Sequence, residues 1–290
     1  MRLLAAGSIA LDTLEGPFGT VAGELGGSAL YFALAASLIR PVEIVAPVGE
    51  DALEAVRAVL SDRPVDVSRV SLIDAPTYRW SALQQAGTNL DRGSKDEIYD
   101  RWRPDLPPGY HGWAFVGSMR PDRQLVAVEA LRDSARLLAA DSMRTYVNAH
   151  RERAEAVLRA SGWFFANREE LIALGGDPED PDGFRTRWGL AGLVVKAGEG
   201  GCSVLTDGGV IRLPALTGRR VVDVTGAGDA LAGGMLAYWL EAGGGPDAIR
   251  EALAHGIACA SLAISAVGLR GLARATPEDL APRVAEALAQ

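Results

Sequence analysis

The stretch VVDVTGAGDALAGG, Val221 to Gly234, places two glycines and two aspartates within seven residues and then continues in small residues. Val221–Val224 predicts a strand end or an extended approach, and Thr225–Gly228 predicts a tight turn that opens a helix over Ala230–Leu240. A helix start offers unpaired N–H groups and a partial positive charge, and glycines let a ligand approach them closely. The stretch is therefore interpreted as an anion site built from backbone donors.

Asp229 lies in the first turn of this predicted helix. A carboxylate at that position is equally typical of a helix cap and of a general base that deprotonates a hydroxyl attacking phosphorus. Spacing alone leaves both readings open. The surrounding glycines match neither the Walker loop nor the dinucleotide-binding fingerprint at a first strand.

Composition limits the possible partners. The chain has 290 residues, 48% of them hydrophobic, with a net charge of -8 and a pI near 5.0. No Lys/Arg cluster is present, so nucleic acid and anionic membranes are not expected partners. Cys202 and Cys259 have no metal-like spacing, and the longest apolar stretch, Gly256–Leu269, is too short to span a bilayer. We expect a cytoplasmic protein whose ligand is held by backbone donors and a few local cations.

Short apolar runs alternate with helical patterns along the chain. The runs predicted as strands are Leu3–Ala10, Val42–Gly49, Trp113–Ser118, Leu137–Asp141, Trp163–Asn167 and Gly192–Gly198. The segments predicted as helices are Ser28–Ile39, with Ser28 as the N-cap, Asp51–Leu60, Arg120–Ser134, Ala149–Ala160 and Pro181–Trp188. Runs that are apolar on both faces are typical of a parallel sheet covered by helices. The pattern predicts an α/β fold with a doubly wound, mostly parallel sheet.

Two segments interrupt the alternation. Residues 75–112 are polar, rich in turn residues and dotted with aromatics, and residues 13–25 form a shorter excursion. We expect both to leave the main sheet and to form a small β lid, within a single domain that spans residues 1–290. Ligands of such sheets bind at the carboxyl ends of the strands, where Asp12, Asp141 and Asn167 follow apolar runs.

Four short motifs together resemble the ribokinase-like, pfkB-type carbohydrate and nucleoside kinases. Asp223–Asp229, DVTGAGD, is similar to the family signature D-T-x-G-A-G-D. Gly26–Gly27 resembles the N-terminal glycine pair, Asn167–Glu170 the N-x-x-E motif, and Lys196–Gly201 the G-x-x-G loop on the nucleotide side. Because all four occur in the family's order, the resemblance covers essentially the whole chain and implies the ribokinase-like fold.

The resemblance implies roles on the phosphoryl-donor side. Asp229 would be the catalytic base. The backbone that holds the transferring phosphoryl group would come from Gly226, Ala227 and Gly228. The residues that organise Mg²⁺ through water would be Asn167 and Glu170, and those along the nucleotide would be Lys196, Gly198 and Gly201. ATP and Mg²⁺ are the implied cofactors.

On the acceptor side, the resemblance implies contacts to hydroxyl groups from Asp12, Gly26 and Gly27. The loop that contains Asp223 shapes a monovalent cation site in many members, which adds K⁺ as a third implied cofactor. The lid excursions would cover the acceptor, and lids in this family often pair into homodimers.

Two further residues carry open alternatives. Tyr31 replaces an asparagine that often holds the sugar, so it either stacks on a ring of the acceptor or packs in the core. Arg79, on the excursion, is either a lid contact to the acceptor or a solvated arginine on an edge strand.

The resulting hypothesis is an ATP-dependent phosphotransferase that acts on a hydroxymethyl group of a small sugar or sugar-like acceptor. A nucleoside or cyclitol kinase is the alternative within the same class. The alternative from a different class is a noncatalytic sensor of sugars or nucleotides that uses the same cleft.

Overall fold

The computed structural model describes residues 2–85 and 87–290, and Ala86, inside the predicted excursion 75–112, lies outside the described residues, as does Met1. The strands are β1 Leu3–Ala6, β2 Ala10–Gly16, β3 Gly19–Gly26, β4 Val42–Val48, β5 Val65–Leu72, β6 Tyr78–Gln85, β7 Thr88–Lys95, β8 Trp113–Val116, β9 Leu137–Asp141, β10 Trp163–Asn167, β11 Gly192–Lys196, β12 Cys202–Thr206 and β13 Gly209–Leu213.

The helices are α1 Ser28–Ala36, α2 Glu50–Leu60, α3 Ile98–Arg101, α4 Pro121–Leu131, α5 Arg144–Ala149, α6 Arg151–Ala160, α7 Arg168–Ala173, α8 Pro181–Trp188, α9 Ala227–Glu241, α10 Ile249–Ala263, α11 Arg270–Arg274 and α12 Pro277–Ala289. In the described part of the chain, no helix is long and apolar enough to cross a membrane.

The main sheet has nine strands in the order β13-β12-β11-β10-β9-β8-β1-β4-β5. The strands from β11 to β5 are parallel, and β12 and β13 add an antiparallel hairpin at one edge. Its central strands, such as Leu3–Ala6 and Trp113–Val116, are buried along their whole length because helices cover both faces. The predicted doubly wound, mostly parallel sheet is thus confirmed.

A second sheet of four strands, in the order β3-β2-β6-β7, forms from the two segments that interrupt the alternation. β2 and β6 pair in parallel, with Asp12 beside Trp80, and each continues into a hairpin with its neighbour. Aligned residues of paired strands face the same side, so Asp12 and Trp80 share one face. We call this the inner face, because alternate residues of β2, Ala10, Asp12 and Leu14, are buried there.

Two local predictions differ from the structure. Of the two alternatives for Val221–Val224, the strand end is not observed, because the segment belongs to no strand and Val222 N–H donates to Ile264 O at 2.8 Å. Ser28 is not the N-cap of α1, because Gly27 occupies that position with φ 99°. The Ser28 hydroxyl instead donates to Ser118 O at 2.9 Å and contacts the Ser8 hydroxyl.

Helix α9 is packed closely between α1 and α10 through its glycines. A Cβ on Gly234 would lie 2.6 Å from Cys259 Sγ and 2.8 Å from His255 O, both on α10. A Cβ on Gly256 of α10 would lie 2.7 Å from Leu231 O on α9. The small residues that follow the signature stretch therefore allow this helix to approach its neighbours at backbone distance.

We expect Gly234→Ala to destabilise the protein. Overpacking in a core costs about 1–3 kcal/mol, which exceeds the gain of about 1 kcal/mol in helix propensity. The matched control is Gly245→Ala, because Gly245 has φ -75° and open space around its Cβ position. Urea unfolding should show a lower free energy of unfolding for Gly234→Ala alone, and equal stability of the two variants would contradict the close packing.

Candidate active site

The signature stretch forms the partly buried start of α9. Gly226 is the N-cap with φ 70°, a left-handed conformation that favours glycine, and no side chain among the described residues caps the helix there. Helices α1 and α2 share this lack of a side-chain cap, whereas a side chain caps α7. Ala227 N–H donates to Val224 O at 3.3 Å, so the N–H of Gly228 and the positive end of the helix dipole are what the first turn offers to an anion.

The buried ring of Tyr31 packs against this turn. Its ring packs so closely on Gly226 that a Cβ there would overlap the ring. The side chain is 1% exposed, and its hydroxyl has no hydrogen-bond partner. Burial, followed by the charges of Asp12, Asp223 and Asp229, raises the pKa of Tyr31 well above its usual value. Of the two alternatives for Tyr31, its position therefore corresponds to packing in the core and not to stacking on the acceptor.

Asp229 lies within hydrogen-bonding reach of Asp141, a residue at the carboxyl end of β9. Two carboxyl groups this close favour one shared proton. Burial raises the pKa of Asp229 to about 6, with Lys196 opposing the rise and Glu170 adding to it. Burial, followed by the charge of Asp229, raises the pKa of Asp141 well above its usual range. Each residue keeps an Oδ1 atom that is buried without a hydrogen-bond partner.

Lys196 joins the donor side of this group. Its Nζ atom lies 3.7 Å from Glu170 Oε2 and 2.9 Å from the position of a Cβ on Gly228. Burial opposes its charge, but the carboxylates of Glu170, Asp141 and Asp229 outweigh burial and raise the pKa of Lys196. The ammonium group therefore stays charged beside the uncapped turn of α9, where it can meet an anion.

Asn167 and Glu170 form a reciprocal cap at the start of α7. Asn167 Oδ1 accepts from Glu170 N–H, and Glu170 Oε2 accepts from Asn167 N–H, each at 2.8 Å. The N-x-x-E motif is thus a capping box, which also fixes the Glu170 carboxylate opposite Lys196. Burial raises the pKa of Glu170, with the Lys196 charge opposing the rise.

The acidic donor set fits Mg²⁺ held mainly through water and phosphate. In residues 2–85 and 87–290, no group of three or more His, Cys, Asp or Glu side chains is arranged to hold a metal ion. Mg²⁺ usually keeps several waters and takes one or two carboxylates together with substrate phosphates. Glu170 and the unpaired Oδ1 atoms of Asp141 and Asp229 are the oxygens available for this purpose.

Asp223 braces two loops. Its Oδ1 atom accepts from Thr225 N–H and its Oδ2 atom accepts from Gly268 N–H, both at 2.9 Å. With both oxygens used by backbone donors, this carboxylate fits a structural brace better than a ligand for a monovalent cation.

The acceptor-side residues meet at the junction of the two sheets. Asp12 is 1% exposed and its Oδ1 atom has no partner. Gly26 lies against its other carboxylate oxygen, and a Cβ on Gly27 would lie 2.9 Å from Ala10 N, so both glycines allow close backbone approach. Burial, then the charges of Asp223 and Glu24, raises the pKa of Asp12 well above its usual range. The unpaired oxygen suits a hydroxyl donor.

Arg79 is not part of this group. It aligns with Leu11, so it lies on the face of the small sheet opposite Asp12, where Nη2 binds Asp51 Oδ2 at 2.6 Å. The predicted contact to the acceptor is therefore not supported by its position. The sequence did not predict this ion pair between Arg79 and Asp51 in the first turn of α2.

The two glycines of the G-x-x-G loop differ. Gly198 is exposed with open space around its Cβ position, whereas Gly201 is buried with φ 86° against the end of β13. The loop between them is a single 3₁₀ turn, closed by Ala197 N–H donating to Gly201 O at 2.9 Å. Gly201 thus shapes the loop, while Gly198 leaves space above it.

Sequence reasoning left out two features of the site. The first is the pairing of Asp229 with Asp141, which the sequence placed at a strand end without assigning it a partner. Gln84 and Asn89, at the end of the β6–β7 hairpin, bond to the signature stretch. Polar residues in a hairpin carry no signal of such a contact, because their partner is distant in sequence.

Comparison with known proteins places this geometry in a family. A cytidine kinase from Thermococcus kodakarensis is 28% identical over 252 residues, which cover 82% of this chain and 88% of that protein. A nucleoside kinase from Burkholderia thailandensis in complex with ADP-inosine superposes with a TM-score of 0.81 at 18% identity, covering 100% of this chain and 97% of the other.

An aminoimidazole riboside kinase from Salmonella enterica superposes with a TM-score of 0.78 at 21% identity, covering 98% of this chain and 100% of the other. Both structural likenesses establish the ribokinase-family fold. The pattern of the pfkB family carbohydrate kinases matches residues 112–275, which is more than half of the chain. The protein is therefore a kinase that belongs to the pfkB family of carbohydrate kinases.

Proposed function

We propose that the protein transfers the γ-phosphoryl group of ATP to the hydroxymethyl group of a nucleoside or closely related riboside. One observation carries this proposal. The Asp229 carboxyl group and the Lys196 ammonium group lie together at the uncapped start of α9. Phosphoryl transfer depends mainly on positioning and on electrostatic stabilisation, and this arrangement supplies both.

The donor side would hold the transferring phosphoryl group. Gly228 N–H would bind it first, Ala227 N–H would exchange its bond to Val224 O for one to phosphate, and Lys196 adds one positive charge beside them. Donors fixed in this way stabilise charge that develops in the transition state without reorganising. Glu170, which the capping box with Asn167 holds in place, would hold Mg²⁺ through water, and the bound ion would neutralise phosphate charge.

Asp229 would act as the general base. Its carboxylate would accept the proton of the acceptor hydroxyl as the oxygen bonds to phosphorus and the bond to the leaving ADP breaks. One such base contributes roughly 10²–10⁴ in rate. The neighbouring Asp141 carboxyl would keep that proton within the pair.

The acceptor would lie between the inner face of the small sheet and the start of α9. Asp12 offers an unpaired, buried oxygen for a sugar hydroxyl, with Gly26 and Gly27 beside it. Trp80 lies next to Asp12 on the same face, and its buried Nε1–H has no partner. A carboxylate beside an aromatic ring suits a ribose that carries a base.

Similarity to the cytidine kinase favours a nucleoside over a simple sugar or a cyclitol, the other acceptors with the required hydroxyl. A noncatalytic sensor is disfavoured because the base, the uncapped helix start and the lysine occur together. Pairing of two chains through the small sheet remains a prediction, and light scattering at micromolar concentration would test it by resolving dimer from monomer.

We expect Asp229→Asn to lower kcat by roughly 10²–10⁴, because the amide cannot accept the hydroxyl proton. ADP release with MgATP and the best acceptor measures turnover, and calorimetry measures ATP binding, which should persist. The control is Asp247→Asn at an exposed position, which should turn over normally. Unchanged turnover in Asp229→Asn would refute the role of the base.

The pH dependence of kcat/KM should reflect the raised pKa of Asp229. Below about 6 the carboxyl holds its proton and cannot act as a base, so kcat/KM for the acceptor should fall about tenfold per pH unit. The apparent value belongs to the pair with Asp141. Initial rates at saturating MgATP, with an acceptor that does not titrate in this range, provide the measurement. A flat profile from about pH 8 to about pH 5 would contradict this assignment.

The acceptor class is tested with a panel of nucleosides, free sugars and cyclitols at equal concentration. We expect the highest kcat/KM for a nucleoside and a strong rise in its KM for Asp12→Asn, because hydroxyl recognition is lost. A free sugar that outperforms every nucleoside would overturn the riboside assignment and retain the kinase chemistry.

A further inference from the structure

Gln84, near the end of β6, bonds to the backbone of the signature stretch. Its Nε2 atom donates to Val222 O at 3.3 Å, and its Oε1 atom accepts from Val224 N–H at 2.9 Å. A side-chain amide thereby pairs with one carbonyl and one N–H of an extended segment, as the backbone of a neighbouring strand would. The small sheet is bonded to the segment that leads into α9.

These bonds complete the backbone pairing of that segment. The N–H groups of Val222 and Asp223 both point to Ile264 O, and Thr225 N–H donates to the Asp223 carboxylate. Gln84 pairs Val222 O and Val224 N–H. Because an unpaired backbone group costs free energy when buried, the amide of Gln84 fixes this segment in its extended form.

Asn89 provides a second bond from the same hairpin. It stands opposite Gln84 in the β6–β7 register, and its Nδ2 atom donates to Thr225 Oγ1 at 2.9 Å. Thr225 is buried and immediately precedes Gly226, the N-cap of α9. The two side chains therefore hold consecutive parts of the segment up to the residue at which the anion site begins.

We propose that Gln84 and Asn89 are positioning residues that bind the small sheet to the signature stretch, so that covering the acceptor and placing the start of α9 occur together. This inference rests on the proposed phosphoryl transfer. The inner face of the small sheet holds the acceptor, whereas the start of α9 holds the phosphoryl group. The three bonds fix the distance between the two reactants, and misplacement by about 1 Å can cost roughly 100-fold in rate.

The first test compares Gln84→Met with Gln85→Met. Methionine keeps the length of the side chain and removes the amide, and Gln85 is the exposed neighbour in the same strand. We expect Gln84→Met to lower kcat about 10- to 100-fold, with the KM for ATP unchanged and the melting temperature still well above the assay temperature. Gln85→Met should resemble the wild-type protein. Equal kcat values for the two variants would overturn the proposal, as would a loss of kcat explained by a lower melting temperature.

The second test is a double-mutant cycle between Asn89→Leu and Thr225→Val. If their bond positions the segment, each single variant lowers kcat and the double variant is no slower than the slower single variant. Multiplying losses would mean that the two side chains act independently, which would overturn the role of Asn89.

A third readout does not depend on turnover. Removing the acceptor for Val224 N–H should speed hydrogen exchange at that amide about 5- to 10-fold in Gln84→Met and leave it unchanged in Gln85→Met. Equal exchange in both variants would refute the contact. A wild-type protein without turnover on any acceptor would count against the proposed function, while the exchange result would still decide whether the sheet is bound to the segment.

Discussion

The arrangement of the site depends on one constraint, a helix whose first N–H groups are left without a side-chain cap. Helices α1 and α2 also begin without a side-chain cap, but at the start of α9 the Lys196 ammonium and the Asp229 carboxyl lie beside the turn. An uncapped helix start is unfavourable unless water or an anion satisfies it. The Tyr31 ring packs against Gly226, and Gly234 lets the helix pack closely against α10.

The charges around this helix start explain how an acidic protein can bind a polyphosphate. Carboxylates of Asp141, Glu170 and Asp229 surround a single ammonium group, that of Lys196. Burial raises the pKa of all three carboxyl groups, and the charges of neighbouring carboxylates add to the rise. The same carboxylates keep the lysine charged, and under the proposed function Mg²⁺ would supply the remaining positive charge without a wider basic surface.

The fold could be predicted from the sequence where burial decides it. Strands covered on both faces read as apolar runs, and Leu137–Asp141 and Trp163–Asn167 were predicted with their observed bounds. Strand β5 was missed because it is exposed at an edge and carries polar residues. The position of Tyr31 could not be predicted. The apolar pattern of its helix does not show that the Tyr31 ring packs against Gly226, which is distant in sequence. The two alternatives for Arg79 could not be separated from the sequence, because its face depends on the pairing of β2 with β6.

The parallel pairing of β2 with β6 has a consequence for both substrate choice and rate. It aligns Asp12 with Trp80 on the inner face, and it carries Gln84 to the signature segment a few residues further along the same strand. Under the proposed function, recognition of the acceptor and placement of the phosphoryl site would therefore share one strand. An acceptor that displaces the small sheet would also displace the start of α9, so a poor fit would lower kcat as well as affinity. Selectivity in this protein would then be expressed in the chemical step, where binding energy contributes most to discrimination.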